Sequence, residues 1–381
     1  MSTVKTNAIL DASGGNTATI NSMTPTADSL QGFRNRLING EMVIDQRNNG
    51  ASISPTSAAY GFAVDRWPSY NSTAGSKFSI QRSTDAPSTF SNSTLVTSSS
   101  AYTVAAGDQF YFAQFIEGFN TADLAFGTAS AKTVTLSFWV KSSLTGNFGG
   151  SLMNSAYNRS YPFTYTINSA NTWEQKSVTI AGDTTGTWIG STNGLGLRVH
   201  FGLGIGSTYS GTAGAWVAAE RYAPTGAVSV VGTNGATWYI TGAQLEVGSV
   251  ATPFERIDYG RELIMCQRYF ELVYMNEVTI VGQCLSTSAV NAPFSFQIEK
   301  RGTPTFTLPA AGSGSGQITF LTGGGNYPST IGSNSVVHIS VTKATIAGNG
   351  YTSQFIAGDA CALYATMTSG ATPKIQISAE L

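Results

Sequence analysis

Apolar and polar residues alternate with a period of two along most of this chain, which is the pattern of half-buried β-strands. The longest such run is Leu195–Ile205, where an apolar residue occupies every second position. The opposite face of that strand carries Gly196, Arg198, His200, Gly202 and Gly204. A face with so little side-chain bulk is expected to lie close beneath another chain, a loop or a ligand.

Shorter alternating runs recur along the chain, separated by turns rich in Gly, Ser, Thr and Asn. They predict strands at Phe78–Gln81, Gln109–Glu117, Thr133–Val140, Lys176–Ile180 and Val228–Val231. Asn39 and Gly40 add a two-residue turn signal between apolar runs. Many short strands with no helices between them indicate a β-sandwich or jelly roll, which we predict over residues 31–257.

The stretch 236–271 connects this β pattern to a second one. Its alternation slips by one position at Gly242, which is typical of a β-bulge. Asp258 then has the character of an N-cap for a helix that runs to about Arg268. The sequence predicts this single helix, over residues 258–268, as the link between two β domains.

The residues after the helix predict a smaller β-sandwich over 269–381. Its strands are expected at Tyr269–Tyr274, Glu277–Val281, Phe294–Ile298, Thr305–Leu308, Gln317–Leu321, Val336–Val341, Cys361–Met367 and Lys374–Ser378. Residues 1–30 have few large apolar side chains and cannot bury a core alone, so they are expected to need a partner for order. The expected fold class is all-β.

Charge is scarce on this chain, which limits the partners it can have. Only 11% of residues are charged and the formal net charge is -1, against roughly 25% charged residues in an ordinary soluble domain. Without a basic patch to neutralise phosphates, nucleic acid is not an expected partner. No signal peptide or apolar membrane-spanning run is visible, so we expect synthesis in a cytoplasm and no membrane insertion. The three cysteines lack metal spacing and are expected to be buried thiols.

The sequence contains few residues arranged for catalysis. His200 and His338 both lie inside alternating strands, where a structural role is expected, and no nucleophile elbow or phosphate-binding loop occurs. Glycoside cleavage needs two facing carboxylates, and the sequence does not show that any two of six candidates converge. These candidates are Asp108, Glu117, Asp123, Glu174, Asp183 and Glu220. We expect no enzymatic activity and no cofactor; loop oxygens could serve a structural calcium ion, but no loop has the ligand spacing of a calcium site.

Aromatic residues in the loops give a stronger functional signal. Eight of them lie in or beside segments rich in Gly, Ser and Asn: Tyr157, Tyr161, Trp188, Tyr209, Trp216, Tyr222, Tyr327 and Tyr351. Sugar rings pack their C–H groups on aromatic faces while polar side chains bond the hydroxyls. The candidate glycan-binding residues are Trp188, Trp216, Tyr222, Tyr327 and Tyr351. The alternative is that each ring caps the end of a sandwich core.

Four motifs in order resemble tail fibre proteins of tailed bacteriophages. NRLINGEMVIDQR followed by AVDRW is similar to the entry of their carbohydrate-binding-module-like jelly roll, and WYITGAQLEVGSVATPFERIDYGRELIMCQRYFE is similar to its last strand and helical exit. RGTPTFTL and the closing ISAEL resemble the small β domain that often follows. VKTNAILDASGGNTATIN resembles the head of such fibres, where the chain attaches to the tail.

This resemblance implies a homotrimeric virion protein. Residues 1–30 would attach to the tail or baseplate, and the C-terminal domain, 269–381, would face a receptor on the host surface. The expected ligand is host polysaccharide or lipopolysaccharide, bound during adsorption. Two alternatives stay open: a tailspike depolymerase that cleaves host polysaccharide, and a purely structural collar or baseplate fibre.

Overall fold

The computed structural model describes residues 33–275, 280–309, 318–322, 325–326, 333–349, 355–365 and 373–381. The chain divides into two compact units between Ile257 and Asp258. Nearly all of the regular secondary structure described in both units is β-strand. The predicted attachment segment 1–30 lies outside the described residues. Across the described ranges, no helix has the length and apolar character needed to cross a membrane.

The described part of the first unit contains thirteen strands and two short 3-10 helices, Gly118–Asn120 and Ala122–Leu124. The strands are β1 Gly61–Val64, β2 Trp67–Asn71, β3 Phe78–Ser83, β4 Ser93–Ser98, β5 Gln109–Glu117, β6 Val134–Ser142, β7 Gly146–Met153, β8 Ser160–Ile167, β9 Glu174–Ile180, β10 Leu195–Ile205, β11 Ser210–Gly211, β12 Ala223–Pro224 and β13 Thr237–Val247.

Two antiparallel sheets face each other in this unit. One has the strand order β1-β2-β5-β10-β7-β8, and the other has the order β3-β4-β13-β6-β9. Their inner faces meet in one aromatic core, in which Trp67 stacks on Phe112 at 5.0 Å and Phe138 meets Phe201 at 5.0 Å. The polar atoms of the two core tryptophans are satisfied, since Trp238 donates to Tyr165 at 3.1 Å and Trp67 donates to the carbonyl of Ile38 at 3.1 Å. The predicted jelly-roll type of β-sandwich is the fold of this unit.

Strand β13 has the irregularity expected at Gly242. Its pairing with β6 shifts register between Thr241 and Gln244, and Gly242 has a φ of +59°. A Cβ built on Gly242 would lie 2.6 Å from the ring of Phe90. Glycine is therefore required there by both the backbone and the packing, and the predicted β-bulge is confirmed.

Two expectations for the first unit need correction or refinement. Val228–Val231 forms no strand; it is loop, in which the amide of Val231 donates to Leu203 at 3.1 Å and the side chain is buried. The turn at Asn39 forms, with a φ of +58°, but regular strands do not flank it. Instead the Asn39 side chain bonds the backbone of Ile44 and Asp65, which explains why an irregular segment can be buried.

Within the residues described for the second unit there are one helix and ten strands. They are α1 Tyr259–Gln267, β14 Phe270–Tyr274, β15 Ile280–Cys284, β16 Val290–Ser295, β17 Thr305–Thr307, β18 Ile318–Thr322, β19 Gly325–Asn326, β20 Ser333–Val337, β21 Lys343–Asn349, β22 Ala360–Ala365 and β23 Lys374–Ser378. The helix has the predicted N-cap, because the Asp258 carboxylate accepts from the amide of Arg261 at 3.0 Å.

Two sheets also enclose the core of the second unit, with orders β14-β23-β17 and β19-β18-β22-β15-β16-β21-β20. Their apolar side chains form one cluster that includes Ile280, Ile346 and Ile377. A buried ion pair, Lys300 with Glu271, lies beside it, and Lys300 also donates to the carbonyl of Gln267 at 2.7 Å. Lys300 therefore connects the last residue of α1 with β14.

The cysteines are buried free thiols, as the sequence predicts. Burial is the main cause that raises the pKa of Cys361 to about 12. Two strands lie closer to the N-terminus than predicted. The strand expected at Phe294–Ile298 is β16, and the strand expected at Val336–Val341 is β20.

Candidate glycan-binding site

The outer face of the six-stranded sheet carries a group of polar and aromatic side chains. Strands β5 and β10 pair antiparallel, so that Tyr111 lies opposite Gly202, and Phe115 lies opposite Arg198. Because Phe112 and Phe201 fill the core, their neighbours in sequence point to the other face of the sheet. The lean face of β10 is therefore the face directed away from the core.

A loop covers part of this face, in agreement with the expectation for a lean strand face. A Cβ built on Gly202 would lie 3.0 Å from the Cβ of Ala223, and one built on Gly149 would lie 2.3 Å from the Pro224 ring. The covering segment, residues 206–226, carries β11 and β12. Glycines on β7 and β10 thus let this loop approach the sheet closely.

Four tyrosines form what we call the tyrosine array: Tyr60, Tyr70, Tyr111 and Tyr222. Tyr111 stacks on Tyr70 at 5.3 Å and on Tyr222 at 5.0 Å, with interplanar angles of 30° and 10°. Tyr60 meets Tyr70 at 5.6 Å, and its hydroxyl lies 3.4 Å from that of Tyr111. Tyr111 and Tyr222 are only 3% exposed, whereas Tyr60 is 36% exposed. The array therefore has a buried base and an exposed end.

His200 is fully buried beneath the array, edge-on to Tyr111 at 5.0 Å and to Tyr222 at 4.8 Å. Its Nδ1 lies 3.3 Å from the hydroxyl of Ser151, and its Nε2 has no hydrogen-bond partner. Burial, with a smaller effect of Arg198, lowers the pKa of His200 well below its usual range. The imidazole is therefore neutral, and its unpaired nitrogen costs about 1–3 kcal/mol.

Arg198 is 7% exposed and has no carboxylate partner among the described residues. Its guanidinium carbon lies 3.6 Å above the ring of Tyr157, and Nη1 makes only long bonds to the carbonyls of Asn154 and Ser155, at 3.5 and 3.4 Å. The Nε atom is buried without a partner. Burying a charge without an opposite charge lowers the stability of the fold, so this arrangement calls for a functional explanation.

Tyr157 is held over Arg198 by a tight turn. Its φ is +59°, which is uncommon for a large residue, and its side chain is 37% exposed. The buried side chain of Asn154 fixes this turn, because its Oδ1 accepts from the amides of Asn158 and Arg159 and its Nδ2 donates to the carbonyl of Thr187. Tyr157 is therefore an exposed ring on a preorganised support.

A second aromatic group, the tryptophan cluster, consists of Phe126, Tyr161, Trp188 and Trp216. The two indoles meet at 5.4 Å and 88°, and Phe126 lies 4.9 Å from Trp188. Both indole N–H groups are occupied: Trp188 donates to Asp183 and Thr185, and Trp216 donates to Ala181 at 2.7 Å. Both rings are half-buried. This cluster packs against the edge of the core.

The predicted glycan-binding residues thus fall in different places. Trp188 and Trp216 lie together in the tryptophan cluster. Tyr222 belongs to the tyrosine array, where its burial makes it a support for Tyr111 and His200 rather than an exposed stacking face. Tyr327 and Tyr351 lie outside the described residues.

The sequence analysis missed Tyr60, Tyr70 and Tyr111 as members of a functional group. Tyr111 lies within a strand whose other residues are mostly apolar, so nothing in the pattern separates it from a core residue. Arg198 could have been found, because an arginine stands among glycines on the lean face of the longest strand.

The six candidate carboxylates have separate surroundings. Five bond named partners: Asp108 with Tyr102, Asp123 with Arg36, Glu174 with Lys176, Asp183 with Arg159 and Glu220 with Tyr222. Glu117 is buried. Within the described ranges, no three His, Cys, Asp or Glu side chains come together as a set of metal ligands.

Comparison with known proteins gave no matching family model and no matching curated relative. Among solved structures, the enzymatically active domain of bacteriophage CBA120 tailspike protein 4 matches at 13% identity and a TM-score of 0.30, over 56% of this chain and 21% of that one. The family 11 carbohydrate-binding module of Clostridium thermocellum, in complex with a mixed-linked tetrasaccharide, matches at 12% identity and a TM-score of 0.25, over 53% of this chain and 98% of that one.

The CBM22-1 and GH10 modules of Clostridium thermocellum xylanase 10B, complexed with xylohexaose, match at 11% identity and a TM-score of 0.27, over 54% of this chain and 30% of that one. At such low identities and TM-scores, the likenesses say nothing about what this chain binds.

Proposed function

We infer that this chain is a glycan-binding fibre protein of a phage tail, which binds host-surface polysaccharide or lipopolysaccharide on the outer face of its six-stranded sheet. The observation that carries the proposal is the exposed ring of Tyr157 over the unpaired, buried guanidinium of Arg198. A sugar ring can pack its C–H groups on such a ring, while its oxygens accept hydrogen bonds from a nearby cation.

The tail assignment rests on the order of the four sequence motifs. In this proposal the protein is a homotrimer of the virion, residues 1–30 attach it to the tail or baseplate, and the chain binds glycan without cleaving it. The sequence resemblance favours 269–381 as the receptor-facing part. Since both aromatic groups described above lie in the first unit, we propose that the first unit contacts the glycan.

The test compares two single-ring substitutions in binding to envelope polysaccharide from a susceptible host. Tyr157→Ala should weaken binding about ten-fold, because the aromatic face on which the sugar ring stacks, of about 1–1.5 kcal/mol, is lost. Trp173→Ala is the matched control, since Trp173 is a partly exposed ring beside β9 of the other sheet. If both variants bind the polysaccharide as well as the wild type does, the glycan does not bind at Tyr157.

A further inference from the structure

The guanidinium of Arg198 has one unbonded edge, the one formed by Nε and Nη2. Nη1 donates to the carbonyls of Asn154 and Ser155. Among the described residues, the buried Nε has no partner and Nη2, which keeps access to solvent, makes no hydrogen bond. The free donors, Nε and Nη2, are the two that form a side-on fork for a carboxylate.

The same chain shows what this fork binds when it is occupied. Arg159 donates from Nε to one oxygen of Asp183 at 2.7 Å and from Nη2 to the other oxygen at 2.7 Å. Asp183 is buried, so the protein uses this fork geometry to hold a carboxylate out of water. Arg198 has the same two donors, and no carboxylate of the described residues bonds to them.

The groups around Arg198 do not supply that carboxylate. Glu220, on the covering loop, accepts from the hydroxyl of Tyr222 at 2.6 Å and makes no ion pair with Arg198. Arg221 donates to the carbonyls of Thr208 and Glu220, at 2.8 and 2.9 Å, and likewise has no carboxylate partner among the described residues. The loop therefore adds a positive charge as well as a negative one.

We propose that Arg198 binds the carboxylate of an acidic sugar, so that the glycan taken by this chain contains carboxylate-bearing residues such as uronic acids. This inference rests on the proposed function and names its ligand class. The sugar ring lies on Tyr157, and its carboxylate accepts from Nη2, the donor of Arg198 that keeps access to solvent.

The experiment screens the full-length protein against acidic oligosaccharides, each paired with its methyl ester, by calorimetry. The ester keeps the ring and its stereochemistry but removes the charge. The inference predicts at least ten-fold tighter binding of one or more acids than of the matching ester. It also predicts that 0.5 M salt weakens acid binding and leaves ester binding unchanged.

Two variants locate the effect. Arg198→Gln should bind acid and ester equally, and Arg221→Gln, in the loop that covers the sheet, should keep the preference for the acid. Thermal melting of both variants controls for folding, and the acid-to-ester ratio of the wild type is informative even where Arg198→Gln fails to fold.

The outcomes separate this inference from the proposed function. Equal binding of acid and ester by the wild type overturns the inference and leaves glycan binding intact. Binding of neither an acid, nor an ester, nor a neutral host polysaccharide overturns both. A preference for the acid that survives in folded Arg198→Gln assigns the carboxylate to another group and overturns the role of Arg198.

Discussion

Arg159 and Arg198 show how much one residue type can vary in surroundings within a single unit. Arg159 holds Asp183 through two short bonds, whereas Arg198 lies over Tyr157 with long bonds to two carbonyls. The sequence indicates which face of β10 carries Arg198, because strand alternation is local. It does not indicate the missing carboxylate, because ion-pair partners come from loops distant in sequence.

His200 is expected to make the stability of the first unit fall in acid. Burial holds the pKa of His200 well below 6.5, so in mild acid the imidazole is protonated in the unfolded chain but stays neutral in the folded chain. The contribution of His200 to stability is complete above the unfolded pKa of about 6.5 and is lost by up to about 1.4 kcal/mol for each pH unit below it.

Denaturant unfolding at pH 7.5 and 5.5 measures this effect against the variant His200→Gln, which has no titrating ring. Wild type should lose about 1.4 kcal/mol more than the variant between the two pH values. Carboxylates with lowered pKa, such as Asp85 and Asp183, are present in both proteins and cancel in the comparison. Identical losses would mean that His200 becomes protonated in the folded state.

At the scale of elements, the predictable strands are those with clear alternation. Leu195–Ile205 and Gln109–Glu117 are observed with the predicted bounds, whereas β7 was missed. Its sequence, GNFGGSLM, is rich in glycine: a Cβ on Gly150 would overlap the His200 carbonyl of β10, and Gly149 leaves space for the covering loop. The sequence reflects that contact, but it cannot show which loop makes it. The tryptophan cluster was not predictable either, because Phe126, Trp188 and Trp216 come from three loops whose contacts the sequence does not show.

The bulge in β13 gives a second prediction. Gly242→Ala should destabilise the first unit by roughly 2–4 kcal/mol, because the variant combines a left-handed backbone with overlap against Phe90. Gly226→Ala is the control: Gly226 also has a positive φ, of +79°, but a Cβ there meets nothing within 4 Å. It should cost only about 1 kcal/mol. Equal losses in urea unfolding would mean that Phe90 moves aside freely.

The buried ion pair of the second unit gives a third prediction. Lys300→Met leaves the carboxylate of Glu271 buried without its cation, which should cost about 3–5 kcal/mol. The double variant Lys300→Met with Glu271→Met should regain most of that loss, because neither charge then remains. Unfolding of both variants by urea, followed in the second unit, measures the difference. A double variant no more stable than the single one would show that the pair's bonds to Gln267 and Gln297 matter more than its charge.

At the scale of the whole molecule, the all-β class and the sandwich architecture were predictable from the period of two. Glycine-rich turns and a single capped helix at Asp258 made the division into two β units visible in the sequence as well. Association of chains was not accessible in the same way, because the resemblance rather than any pattern of residues suggests a trimer. The proposed glycan site draws on side chains from β5, β10 and two loops, which only the folded chain brings together.

The native mass of the purified protein tests the proposed fibre assembly. Light scattering should give about three times the chain mass of 39.9 kDa, independent of dilution. A folded species with the mass of one chain would contradict the trimer.

The most direct test of glycan binding is a structure of the full-length protein with its host polysaccharide bound. We predict a sugar ring packed on Tyr157, with a carboxylate of the glycan bonded to Arg198, on the outer face of the six-stranded sheet. A glycan bound only at the tryptophan cluster or only at the second unit would contradict the site proposed for this protein.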